Sequence, residues 1–164
     1  MDLMQLCGAV KNLYDDCTAI EQPQEILIDV IGLGSGVVDR LAEQNLPVRG
    51  VNVAEAPATR KNYLNLRAEL WFAIKDWLVQ RDCRLPNDDE LVSELAAPLY
   101  KYTSTGKIKI ESKDEMRKRG IKSPDKADAL ALTMASSAAS FSGSESYFGY
   151  NFKKPLKSRI IRVG

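Results

Sequence analysis

Between Leu3 and Cys17 the apolar residues are Leu3, Leu6, Cys7, Val10, Leu13, Tyr14 and Cys17, and their spacings of three and four predict an amphipathic helix. The run EILIDVIG, Glu25 to Gly32, is instead β-branched and nearly continuous, the pattern of a strand buried on both faces, with Asp29 interrupting it. Gly32, Gly34 and Gly36 then form a tight turn into a helix from about Ser35 to Gln44, which carries Val37, Val38 and Leu41 inward. VRGVNV, Val48 to Val53, reads as a second short strand. Strand, helix and strand in about 28 residues predict a parallel, right-handed crossover.

A segment from about Asn62 to Gln80 is apolar on most sides, with Leu64, Leu66, Leu70, Trp71, Phe72, Ile74, Trp77 and Leu78, and predicts a central, buried helix. Asn87, Asp88 and Asp89 supply the cap and first-turn acids of another helix ending near Ala97. LYKYTSTGKIKIE alternates on both arms and predicts a hairpin that turns at Ser104, Thr105 and Gly106. Ser112 to Glu115 form a capping box opening a short basic helix. Ser123 and Pro124 start a last helix through Asp125, Asp128, Leu130, Leu132 and Met134. The division expected is a domain over 1–138, then a Ser/Gly-rich linker and basic tail over 139–164, with the Ser, Ala and Gly bias beginning at Ser136.

Composition narrows the chemistry. A length of 164 residues fits one domain, and a net charge of +1, from 23 basic and 22 acidic residues, excludes a uniformly basic coat while permitting a local basic patch. The chain has no His, which removes Ser-His-Asp and Cys-His catalysis and His-based zinc sites. Cys7, Cys17 and Cys83 match neither a disulfide framework nor a zinc site, and fit packing residues in a reducing compartment. No stretch approaches the roughly 20 apolar residues of a membrane span, and the N-terminus lacks a basic region, so a soluble intracellular protein is expected.

Acid, base or metal chemistry must therefore run on carboxylates. Asp29 is one candidate, because a carboxylate inside an apolar strand is costly unless it is paired or binds a cation. The alternative is an Asp at the strand end, bonded to the glycine turn. Asp125 and Asp128, three residues apart, project from one face of a helix start. Either they are a site, or they are the usual acids of a first turn. The basic run Lys113, Arg117, Lys118, Arg119, Lys122 and Lys126 leads into them, as expected where a polyanion meets a metal, or simply as a solvated face. GLGSG fails the dinucleotide-binding spacing, since Gly36 comes one residue early and no acid ends the following strand.

IDVIGLGSGVVDRL, VNVAEAP, NLRAELWFAIKDWL and GKIKIESKDEMRKRGIKSPDKADALALTMA, in this order, resemble the C-terminal nuclease domain of tailed-phage large terminases, the DNA-packaging motor subunits, over roughly residues 1–135. The resemblance implies an α/β fold of the ribonuclease H-like, resolvase type, with a mixed sheet and flanking helices. It implies two-metal hydrolysis of concatemeric double-stranded DNA with Mg²⁺ or Mn²⁺, in which Asp29, Asp125 and Asp128 ligate metal and Lys113, Arg117, Lys118, Arg119 and Lys122 hold phosphates. Glu69 or Asp39 would be an alternative completing carboxylate. Portal protein and the small terminase subunit are the implied partners, and the bacterial host cytoplasm the implied location. Such domains open with a strand bearing the first metal-binding aspartate, followed by two antiparallel strands. This chain starts at the helix after them, so the reading is a fragment lacking its first strands, weak or inactive as a nuclease, with a sheet edge open to homodimer pairing. A non-catalytic DNA- or portal-binding remnant is the alternative, and a nucleotide-binding α/β domain a more distant one.

Overall fold

In the computed structural model, which describes residues 2–80 and 83–139, helix α1 (Leu3–Asp15) opens at a capping box: Asp2 accepts the Gln5 N–H and the Gln5 side chain accepts the Asp2 N–H. Strands β1 (Ile26–Asp29) and β2 (Val48–Val51) pair in parallel, Ile26 opposite Val48 and Asp29 opposite Val51, with α2 (Gly34–Glu43) between them in sequence. The parallel crossover expected from the hydrophobic pattern is present. Cys7 and Val10 of α1 pack with Val37 and Leu41 of α2 and with Leu46, and Ile26, Ile28 and Val48 close this core from the sheet. Glu25, just before β1, is forked by Arg49 of β2 at 2.5 and 3.3 Å.

Asp29 is not mid-strand. It is the last residue of β1 and exposed, and its Oδ1 accepts the Ile31 N–H at 3.1 Å, closing a local turn. The rest of β1 is half-buried rather than covered on both faces. The glycines explain the turn. Gly32 has φ +74°, which only a residue without a Cβ adopts freely, and a Cβ on Gly34 would lie 1.8 Å from the Asp29 carbonyl oxygen. GLGSG thus serves a close approach of α2 to the end of β1.

This first compact unit comprises residues 2–53 and a second comprises 54–139. The second is built on α3 (Leu66–Val79), whose cap Asn65 accepts the Ala68 N–H and which buries Leu66, Ala68, Glu69, Leu70, Trp71 and Ile74. Helix α4 (Asp89–Ala96) starts at Asp88, as its acids predict. Strands β3 (Tyr100–Tyr102) and β4 (Ile108–Ile110) form the expected antiparallel hairpin, Tyr100 opposite Ile110, with its turn through Gly106 at φ +76°. On its other edge β4 is held by 62–64: Ile108 donates to the Asn62 carbonyl and accepts from the Leu64 N–H, both at 2.8 Å. Helix α5 (Lys113–Lys118) has the predicted box between Ser112 and Glu115. Helix α6 (Asp125–Ala139) packs on α3 and α4.

Helix α6 runs through Ser136 to Ala139, so the linker composition begins inside a helix; the remainder of the expected linker and the basic tail, 140–164, lie outside the described residues. Among the described residues no helix is long and apolar enough to cross a membrane.

Two glycine substitutions separate packing from propensity. Gly34→Ala forces its methyl into the Asp29 carbonyl and should lower stability by about 1–3 kcal/mol. Gly8→Ala, inside α1 with nothing within 4 Å, should raise it by about 0.5–1 kcal/mol. Urea unfolding of both variants reads the opposite signs.

Candidate functional site

Asp125 and Asp128 lie in the first turn of α6, and the three-residue spacing brings both carboxylates to one cation. Lys113 Nζ is 3.4 Å from Asp125 Oδ1 and 3.3 Å from Asp128 Oδ2. Asp125 is exposed, and its Oδ1 also accepts the Ser123 hydroxyl at 2.7 Å. Asp128 is half-buried and its Oδ1 is crowded: Arg67 donates from Nε at 3.2 Å and Nη2 at 3.1 Å, and Trp71 donates from Nε1 at 2.9 Å. Arg67 uses its remaining arm, Nη1, on the Glu111 carbonyl at 2.7 Å, and its guanidinium sits 5.8 Å from the centre of the Trp71 ring.

Helix α4 fixes where this helix start lies. Glu94 accepts the Ala127 N–H at 2.9 Å, and the half-buried Lys126 ammonium sits between Asp88 at 2.6 Å and Glu90 at 2.7 Å. These acids hold the Lys126 ammonium charged, with Asp88 the stronger partner.

The basic run is divided by its partners. Arg119 forks onto Glu111 at 2.7 and 2.5 Å and reaches the Ala97 carbonyl at 3.0 Å, so it is a structural tie rather than a free phosphate contact. Lys113 is held by the two aspartates, and Arg117 by the exposed Asp114 at 3.0 Å. Lys118 and Lys122 are exposed, with no charged partner among the described residues.

Glu69, weighed as a completing ligand, is committed elsewhere. It is 5% exposed, and its oxygens accept the Ala58 N–H (2.6 Å), the Thr59 N–H (3.1 Å) and hydroxyl (2.5 Å), and the Arg60 N–H (3.0 Å). It is the anchor of the loop before α3. Asp29 and Asp39 belong to the first unit. Among the described residues no three Cys, Asp or Glu side chains gather at one point. Arg67 and Trp71 were missed in the sequence because α3 reads as an apolar helix. Their only trace is an arginine and an indole N–H four residues apart on a helix that must be buried.

The acids tying the hairpin to α5 titrate low. Glu115 is held far below the usual carboxylate range, first by Lys101, then by the Ser112 N–H and hydroxyl and by Lys109. Glu111 is lowered by Arg119, and Asp88 by Lys126. A depressed folded-state pKa contributes stability that is full above the unfolded carboxylate value and lost as pH falls through the folded one. The thermal midpoint should therefore drop steadily as pH falls below about 4.3, and Glu115→Gln should flatten that drop. Glu69→Gln, which turns an amide towards backbone N–H donors, should cost at least about 2 kcal/mol in urea unfolding at neutral pH.

No protein-family model and no curated protein matches the chain. Solved structures do. The nuclease domain of the large terminase subunit gp2 of bacterial virus Sf6 matches with a TM-score of 0.65 and 23% identity, over 82% of this chain and 73% of that one. A lysine-to-alanine mutant of that domain, solved with manganese and β-thujaplicinol, matches with a TM-score of 0.66 and 22% identity over 82% and 73% of the two chains. The corresponding mutant with calcium gives 0.64 and 22% over the same shares. The chain has the mixed α/β fold of a phage large-terminase nuclease domain.

Proposed function

We propose that this chain is the nuclease domain of a phage large terminase, of the ribonuclease H-like type, which binds double-stranded DNA and hydrolyses its phosphodiester backbone with divalent metal during genome packaging. The observation that carries the reading is the convergence of Asp125 and Asp128 on a single cation, Lys113, in a fold shared with a phage large-terminase nuclease domain.

The donor set fits a hard divalent ion. Two carboxylates meet where an ammonium now sits, and the chain has no His to add a softer nitrogen ligand. Asp125 and Asp128 would hold Mg²⁺ or Mn²⁺ there with Lys113 displaced, and a metal role for Asp29 rests on the sequence resemblance alone. A bound ion would lower the pKa of water and polarise the phosphate. The chain's own part is to orient: Arg67 and Trp71 fix Asp128, while Glu94 and Lys126 fix the first turn of α6. Lys118, Lys122 and the loosely paired Arg117 are the phosphate contacts on this reading, which carries with it portal and small-subunit partners in the host cytoplasm.

A second reading, a non-catalytic DNA- or portal-binding module, is favoured by one observation: both oxygens of Asp128 already meet protein donors. Supercoiled plasmid distinguishes the two. Nicking that requires metal, is stronger with Mn²⁺ than with the geometrically stricter Mg²⁺, and disappears in Asp29→Asn and Asp128→Asn is the expected result. Binding without nicking at any metal concentration would establish the second reading. For DNA binding, log affinity should fall against log salt with a slope of about −2 to −3, and Lys118→Ala with Lys122→Ala should reduce that slope by about 2.

A further inference from the structure

We infer that Arg67 and Trp71 are positioning residues that take up one oxygen of Asp128 and leave the other, Oδ2, as the atom that meets a cation. This rests on the metal reading above and assigns the residues that make it geometrically specific. Three N–H groups at 2.9, 3.1 and 3.2 Å all end on Oδ1, filling the lone pairs of a carboxylate oxygen. On Oδ2 the only donor described is Lys113, a half-exposed ammonium on a flexible stem.

Both clamp residues are themselves held in place. Trp71 is 7% exposed, and Arg67 is braced by the Glu111 carbonyl through Nη1. Their contributions differ in kind. Arg67 orients the carboxylate and also repels an incoming cation, whereas Trp71 orients it with a neutral donor. Trp71→Phe therefore removes orientation without changing charge and keeps most of the buried ring.

The test uses the full chain and two readouts. Trp71 and Trp77 are the only indoles, so their two N–H resonances can be assigned with Trp77→Phe. In metal-free protein, Asp128→Ala should move the Trp71 resonance and speed its solvent exchange about tenfold or more. An unmoved resonance overturns the clamp.

Mn²⁺ affinity, from the free-ion electron paramagnetic resonance signal, should fall about 10- to 100-fold in Trp71→Phe. A purely packing role would lower the melting temperature and leave the affinity of the folded protein unchanged. Mn²⁺ binding that Trp71→Phe does not alter overturns the inference and leaves the proposed function standing. No Mn²⁺ binding by the unmodified chain overturns the metal reading and this inference with it.

Discussion

Arg67 is the residue on which the second unit turns. One guanidinium joins three segments: it sits on α3, forks onto Asp128 at the start of α6, and reaches the Glu111 carbonyl just after β4. Its side chain is 16% exposed and that of Asp128 is 21%, so solvent screens the pair only in part. Removing one partner of such a pair leaves the other charge poorly compensated, a loss of about 3–5 kcal/mol when burial is complete and less at this exposure. A lysine would not substitute, because a single ammonium cannot span a carboxylate and a carbonyl in a fixed plane. The same rigidity lets the residue aim Asp128.

The near-balance of acids and bases has a structural meaning here. Half of the basic run leading into and opening α6 is spent within the fold: Lys113 on Asp125 and Asp128, Arg119 on Glu111, Lys126 on Asp88 and Glu90. These pairs join α4 to α6, α5 to the start of α6, and the residue after β4 to the one after α5. They carry specificity of assembly more than net stability, as partly exposed ion pairs do. Within this run, Lys118 and Lys122 are left without a charged partner among the described residues, and Arg117 is paired only with the exposed Asp114.

Local signals in the sequence proved legible, and long-range ones did not. The capping box of Ser112 and Glu115, the hairpin around Gly106 and the parallel crossover from Ile26 to Val51 all depend on residues close together or on a clear periodicity. Asp29 was ambiguous because one residue decides whether an acid lies within a strand or at its end. The glycine that settles it, Gly34, acts through the Asp29 carbonyl rather than through any side chain. At the candidate site the acids were visible and their holders were not. Arg67 and Trp71 act across 57 to 61 residues, and Glu69 acts on backbone N–H groups that have no sequence signature.

On the proposed metal reading, the charges at Asp128 set what a divalent ion must do to enter. Asp125 and Asp128 carry two negative charges, and Arg67 and Lys113 supply two positive ones, so the cluster is neutral as it stands. Adding a divalent ion without other change would leave an excess of two positive charges beside half-buried groups, against strong Coulomb repulsion at short range. Arg67 cannot leave, because it is braced on both sides by Asp128 and the Glu111 carbonyl. Lys113 can: its side chain is 50% exposed, its contacts at 3.3 and 3.4 Å are long, and its stem is free to swing into water. Exchange of one ammonium for one divalent ion raises the local charge by a single unit, which an incoming phosphate would neutralise. Metal and DNA phosphate would then each favour the other's binding at this cluster, a coupling set by charge balance alone.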